Sequence, residues 1–527
     1  MLQYSTGVYH SELSHQPDES AHVVTSLMIH DYAKTGIGTS PLRFAESYYI
    51  HYPKVAFGIW PPLFHSTAAL WMLLFTRTHT SLLIFVAVQG ALCAAILAML
   101  ARRFLAPFAA FAAGLFVIIL PAMQNAASLM MVDLFLTVME MLSTLLLIAF
   151  FRRRDMKTAI WYGVCTSLAM LTKGNAVALL MCGVFMLLLT REFSILRKAP
   201  VYVSALIIAV LGLPWQFISV HLFQGTIPLD PLTPSRFWML SSGYTQILVH
   251  KLSLPLFLAA LVGLASVLLP LLKGDRRSPV SLDGAGAASL VLGVFLFHSI
   301  SPTPGPDDRY ILPALPLLVL FAALGIQWIA STIRIPKLAM PVRASILVVF
   351  CLGWFAKTTF AFTQRPQMGF EQVAAGLEPP GSADEVVLVC SDSWGEGALI
   401  TTLALRDRPG LEHIVLRGSK TLSENPWGLV SYHPYFLTPQ ELENELERTP
   451  VDEIVVDLDH ATWERDRELL IQALAENSQK WLLASEVRAE DGRRLQLYRW
   501  AGPDHSTLRK NVKVRMRITL GHDLSLP

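Results

Sequence analysis

The chain has 527 residues, of which 53% are hydrophobic and only 16% charged, with a mean hydropathy of +0.46 and a formal net charge of +2. So long and apolar a composition excludes an ordinary soluble protein and a simple membrane anchor, leaving a polytopic membrane protein. The near-neutral charge, without basic blocks interleaved with aromatics, argues against nucleic acid as a partner.

The chain opens with a mostly polar stretch. His15-Gln16-Pro17-Asp18-Glu19-Ser20-Ala21-His22 starts a helix that continues through Val23, Val24, Leu27 and Met28. Asp18 and Glu19 suit two roles. Acidic residues in a first turn complement the helix dipole, whereas a carboxylate beside a bilayer takes a proton from a nucleophile while the lipid phase delivers a hydrophobic substrate. Their place just ahead of the apolar runs favours catalysis. His22, one turn on, makes an Asp/Glu/His metal set conceivable, but no further ligand is fixed elsewhere. No metal or cofactor is therefore assigned, and a divalent ion is the minority alternative.

Next comes His51-Tyr52-Pro53-Lys54, followed by Trp60-Pro61-Pro62-Leu63-Phe64. His51, Tyr52 and Lys54 put three polar tips where an anionic headgroup would sit, with Lys54 able to meet a phosphate as a point charge; a plain aromatic-belted helix entry is the alternative. Residues 55–75, broken by the proline pair, read as a juxtamembrane or partly inserted helix, with a true span as runner-up.

Membrane-length or nearly membrane-length runs follow at 82–101, 104–121, 129–151, 159–172, 176–189, 201–220, 252–272, 285–300, 310–330 and 344–362. About ten spans are thus predicted. Basic residues recur at alternate connections: Arg102 and Arg103; Arg152, Arg153, Arg154 and Lys157; Arg191, Arg197 and Lys198; Lys273, Arg276 and Arg277; Arg334, Lys337 and Arg343. Those loops are expected in the cytoplasm. The connections near Gln124 and Asn175, at 221–250 and at 301–309 then face outward, with residues 1–80 and everything after 363. Four of the five cysteines lie in apolar runs and none makes a CxxC pair, so no disulfide framework is expected.

Ionisable groups within the runs mark a site or a structural pair. Asp133 and Glu140 lie two turns apart on one helix face, and Lys173 interrupts Leu171-Thr172-Lys173-Gly174-Asn175. Their alternative role is a buried ion pair. Asp307-Asp308-Arg309-Tyr310 opens a later run: Arg309 offers a fork of donors for phosphate at a helix start, with Tyr310 beside it, against the plainer role of interface anchors.

After residue 363 the text becomes soluble in character. Residues 385–390 and 453–458 read as buried strands beside helical segments at 439–447 and 463–474, a small α/β domain in which Gly395-Glu396-Gly397 is an ordinary strand-to-helix turn. The expected organisation is an outer segment with the acidic motif (1–80), a transmembrane helix bundle (81–363) and an extramembrane α/β domain with its tail (364–527).

The order of these elements resembles the GT-C glycosyltransferases of the dolichyl-phosphate-mannose protein mannosyltransferase type, including the bacterial aminoarabinose transferases. The resemblance rests on Asp18-Glu19, Trp60-Pro61-Pro62-Leu63-Phe64, Asp133, Leu171-Thr172-Lys173-Gly174, Arg309-Tyr310 with its prolines, and the α/β tail. It implies a mostly α, GT-C-like polytopic bundle in the bacterial inner membrane and a polyprenyl-phosphate sugar donor. Transfer would go to a protein, lipid or glycan acceptor on the outer face, with inversion at the anomeric carbon. It assigns Asp18 as the catalytic carboxylate with Glu19 beside it, and Arg309 to the donor phosphate. Two departures stand out. Aminoarabinose-type members carry a Glu-Lys pair where this chain has Ile59-Trp60, which argues against aminoarabinose transfer to lipid A and against the metal site associated with that Glu. The family also has a span before the acidic pair, whereas too few residues precede Asp18 here; the expectation is that the upstream reading frame encodes roughly twenty further apolar residues. The competing class is a transporter or lipid flippase with an Asp133, Glu140 and Lys173 relay.

Overall fold

The computed structural model describes residues 2–56, 58–223, 231–273, 279–303, 305–333, 338–380, 385–408, 410–424, 432–514 and 522–525. Arg276, Arg277, Arg334, Lys337, Phe57 and part of the 221–250 connection lie outside the described residues.

Among the described residues seven helices are long and apolar enough to cross a membrane: His79–Ala101, Val132–Arg153, Ala199–His221, Leu254–Leu272, Ser281–Ile300, Asp308–Thr332 and Met340–Thr358. Pro107–Ile119 and Pro121–Ala127 form a further, bent pair at 60°, broken where Pro121 withholds its donor. Met156–Met170 and Gly174–Thr190 are shorter, being separated by the Lys173 break. The ten predicted runs thus each have a helical counterpart. Leu63–Leu74, at 12 residues, is about 18 Å long, well short of a bilayer core of about 30 Å. Within the 221–250 connection the structure adds a helix, Pro234–Leu252, capped by Thr233 Oγ1 accepting from Arg236 N–H (3.2 Å); its mixed composition hides it from a hydropathy reading.

The bundle interior is closed by small residues that let backbones approach. A Cβ on Gly263 would lie 1.8 Å from the Phe321 carbonyl oxygen, and one on Gly325 only 1.9 Å from that of Ala259. The two ends differ in charge. Val132–Arg153 carries Asp133 in its first turn and Arg152 in its last, about 30 Å apart. At the basic end Arg152 and Arg103 meet Asp283 (2.8 and 3.8 Å) and Arg154 meets Glu192 (3.0 Å).

The tail contains a five-stranded sheet in the order Ile414–Arg417, Val386–Cys390, Glu453–Asp457, Arg494–Trp500, Trp481–Arg488. The first three strands are parallel and the last two antiparallel. Strands at 386–390 and 453–457 are buried along their whole length, which is why they read as continuous apolar runs. Gly395-Glu396-Gly397 falls in the first turns of helix Ser393–Arg406. The domain sits on the N-terminal segment: Glu12 accepts from Met368 N–H (2.8 Å), Tyr52 OH donates to Asp407 (2.8 Å), and Arg365 N–H donates to Thr6 O (2.8 Å).

Candidate active site

Asp18 stands at the N-cap position of helix Glu19–Asp31, yet its carboxylate makes no capping hydrogen bond. Instead Oδ2 lies 3.4 Å from Arg309 Nη1, with both side chains about a quarter exposed. Glu19 behaves differently. It is buried, with Oε1 accepting from Met130 N–H (2.7 Å) and Oε2 from His15 N–H (2.9 Å). Burial pushes its carboxyl up to about 7 against the pull of these backbone donors and of Arg365. The structure thus makes Glu19 an anchor for the loop that presents Asp18.

Arg309 lies in the 3₁₀ turn Asp308–Ala314 that leads into Leu315–Thr332. Asp307 Oδ1 caps this turn from Arg309 N–H (3.0 Å), while Oδ2 takes Arg309 Nη2 (2.8 Å) and Nε (3.1 Å). Burial raises the Asp307 carboxyl, but the bonds from Arg309 outweigh it and leave the group below the usual carboxylate range. One guanidinium is therefore held by Asp307 and turned toward Asp18.

Lys173 sits at the extended residue between two helices, φ −156° and ψ 146°. Its Nζ is 2.6 Å from Asp133 Oδ1 and 5.1 Å from the centre of the Tyr310 ring. Tyr310 in turn stacks on His298 at 5.2 Å. The break is tied to the proline pair, since Leu63 N–H donates to Leu171 O (2.9 Å). Asp133 is also within electrostatic reach of Arg309, so Asp18, Asp133, Lys173, Asp307, Arg309 and Tyr310 gather at the end of the bundle away from the Arg152 cluster.

The 51–54 group goes elsewhere. Tyr52 is buried, with its hydroxyl spent on Asp407, and Lys54 Nζ donates to Ser393 O (3.3 Å). Burial and Arg417 push the Lys54 amine down to about 7, opposed by Glu396 and Asp18. His51 Nδ1 bonds to Ser47 O (2.9 Å). Tyr52 and Lys54 thus dock the tail rather than await a headgroup. Glu140 is buried beyond Asp133, with Oε2 unpartnered among the described residues. Among those residues no group of three or more His, Cys, Asp and Glu is arranged to hold a metal ion. Sequence reasoning missed Asp307 as the holder of Arg309, although its place directly ahead of a turn and two residues before Arg309 is an Asx-cap signal. It also missed the His22 and His65 pair, Nδ1 to Nε2 at 2.9 Å, for which no local signal exists.

Residues 60–217 match the family model of dolichyl-phosphate-mannose-protein mannosyltransferases, a segment that includes Trp60-Pro61-Pro62, Asp133 and Lys173 but not Asp18 or Arg309. The whole chain is similar in shape to ArnT from Cupriavidus metallidurans bound to undecaprenyl phosphate (TM-score 0.57, 16% identity, 95% of this chain and 97% of that one). The same protein in its apo state gives a TM-score of 0.54 at 15% identity, over 94% and 96% of the two chains. The Archaeoglobus fulgidus oligosaccharyltransferase tethered to an acceptor peptide gives 0.52 at 13% identity, over 94% of this chain and 70% of that one. No curated protein matches the sequence. The fold is thus that of the GT-C glycosyltransferases, in a multi-pass membrane protein with an α/β tail. In sequence, the central segment of the chain is the part that matches the mannosyltransferase family model.

Proposed function

We propose that the protein is an integral-membrane glycosyltransferase that moves a sugar from a polyprenyl phosphate to a hydroxyl-bearing acceptor with inversion, on the outer face of a bacterial inner membrane. Asp18 is the general base. As the acceptor oxygen attacks the anomeric carbon, its proton passes to Asp18. The bond from that carbon to the phosphate oxygen breaks on the opposite side, and the electron pair leaves with the phosphate. Arg309, held by Asp307, meets the departing charge with a planar fork, and Lys173 adds a second cation. Phosphate is already a good leaving group, so the site needs a base and cations rather than a strong acid.

The observation that carries this reading is the uncapped Asp18 carboxylate facing Arg309 at 3.4 Å. The outer-face placement is supported by the basic cluster around Asp283 at the bundle's other end. A carrier would draw on Asp133, Glu140 and Lys173 and leave Asp18 idle. Purified protein given labelled polyprenyl-phosphate sugars and a panel of acceptors tests the difference. Asp18→Asn should keep expression and insertion while lowering transfer by about 10²- to 10⁴-fold. Wild-type turnover by that variant, or no transfer from any donor by the native protein, would overturn the reading.

A further inference from the structure

Trp60 closes the loop before the proline pair. It is half-buried. One face is occupied: the His22 ring lies 4.2 Å away, centre to centre, at 31°. That ring is itself fixed. Its Nδ1 lies 2.9 Å from His65 Nε2, one nitrogen donating and the other accepting. Burial, with His65, Lys173 and Arg309 adding to it, pushes His22 well below its ordinary range, so the imidazole backing Trp60 is neutral. The result is an aromatic plate on a rigid, uncharged support.

Its position is tied to the site on both sides. His22 lies one helical turn from Asp18, with His22 N–H donating to Asp18 O (3.0 Å). Leu63, three residues after Trp60, is bonded to Leu171, two residues before Lys173. Through His22, which is bonded to Asp18 and lies within electrostatic reach of Lys173 and Arg309, the plate sits beside the base and the cations, next to where the sugar of a polyprenyl-phosphate donor must lie, since the sugar is the part between the phosphate and the attacking oxygen. The C–H face of a pyranose is apolar and slightly positive, and an indole face is negative, so the two stack.

We propose that Trp60, backed by the His22 and His65 pair, is the stacking platform for the pyranose ring of the donor. This rests on the transferase reading for the identity of the donor, but its test does not need turnover. Binding of short-chain polyprenyl-phosphate mannose and glucose is compared with binding of the same polyprenyl phosphate without sugar, for native protein and for Trp60→Ala and Trp60→Tyr. The expected result is that Trp60→Ala weakens the sugar-bearing lipids about three- to tenfold while leaving the bare phosphate unchanged, and that Trp60→Tyr restores most of the loss. Equal weakening of both lipids would make Trp60 a structural residue. No weakening of either, or a change confined to the KM of the acceptor, would equally overturn the assignment. If the lipids separate as expected but no sugar is transferred, the platform stands and the transferase reading falls.

Discussion

Replacing Glu19 by Gln separates the anchoring of the acidic loop from its chemistry. The native carboxylate is buried and takes one backbone N–H on each oxygen, from Met130 and His15. Burial nevertheless places its titration at about 7, above the ordinary 4.5. A folded-state value raised above the unfolded one means that the native state holds the proton more tightly. The associated stability is therefore fully present below pH 4.5 and is lost as pH rises through 7. The span corresponds to about 3 kcal/mol at most. Glu19→Gln cannot titrate, so the difference in unfolding free energy between native and variant should change by about that amount between pH 4.5 and 7.5, with the native protein losing ground at the higher pH. The amide also turns an NH₂ toward one of the two donors, a pH-independent cost of about 1–3 kcal/mol. Chemical unfolding in mixed micelles across that pH range measures both. Parallel pH curves for the two proteins would refute the burial argument. Glu19→Ala, which frees both backbone groups, should lower kcat by up to about 10²-fold through misplacement of Asp18. Native turnover by that variant would show that the loop holds itself.

Arg309→Lys should impair transfer clearly and Arg309→Ala severely, because lysine keeps the charge but cannot keep a two-point grip while Asp307 holds its other side; the readout is donor KM and kcat, and unchanged values would leave Arg309 as an interface anchor. Lys173→Met leaves Asp133, which is only 3% exposed, without its cation. Destabilisation of about 3–5 kcal/mol is expected, to be largely relieved in stability but not in transfer by adding Asp133→Asn. A fully active double variant would reduce the pair to a structural role.

Much of the bundle was legible because a lipid-facing helix must be apolar over a bilayer's thickness, and each of the ten predicted runs has a helical counterpart. The exceptions are physical. Helix 234–252 carries Arg236, Ser241, Ser242 and His250 on a partly covered surface, so no hydropathy window isolates it. In the antiparallel pair, strand 481–488 is mostly exposed and strand 494–500 only partly buried, a weaker apolar signal than the buried parallel strands beside it. In the site, Asp18, Asp133, Lys173, Arg309 and Tyr310 were visible as polar residues in places where polarity is costly. Glu19 carried the same signal but a different role, because adjacent residues at a helix start point in different directions: one carboxylate faces Arg309, the other the backbone of Met130. Tyr52 and Lys54 looked like headgroup ligands because their partners, Asp407 and Ser393, lie more than three hundred residues away.

That long-range docking bears on why the tail is there. The acidic loop is short, polar and without a core of its own, so something else must hold Asp18 within reach of Arg309. From the bundle, Met130 grips Glu19. From the tail, helix Ser393–Arg406 comes so near that a Cβ on Gly397 would lie 2.5 Å from both Ser14 Oγ and Ser20 Oγ, and Met368 N–H reaches Glu12. The segment carrying Asp18 is thus clamped between two layers that the chain builds hundreds of residues apart. A carboxylate whose position depends on both layers cannot be placed by the bundle alone, and the α/β domain, with its sheet far from Arg309 in sequence, becomes part of the candidate site's support.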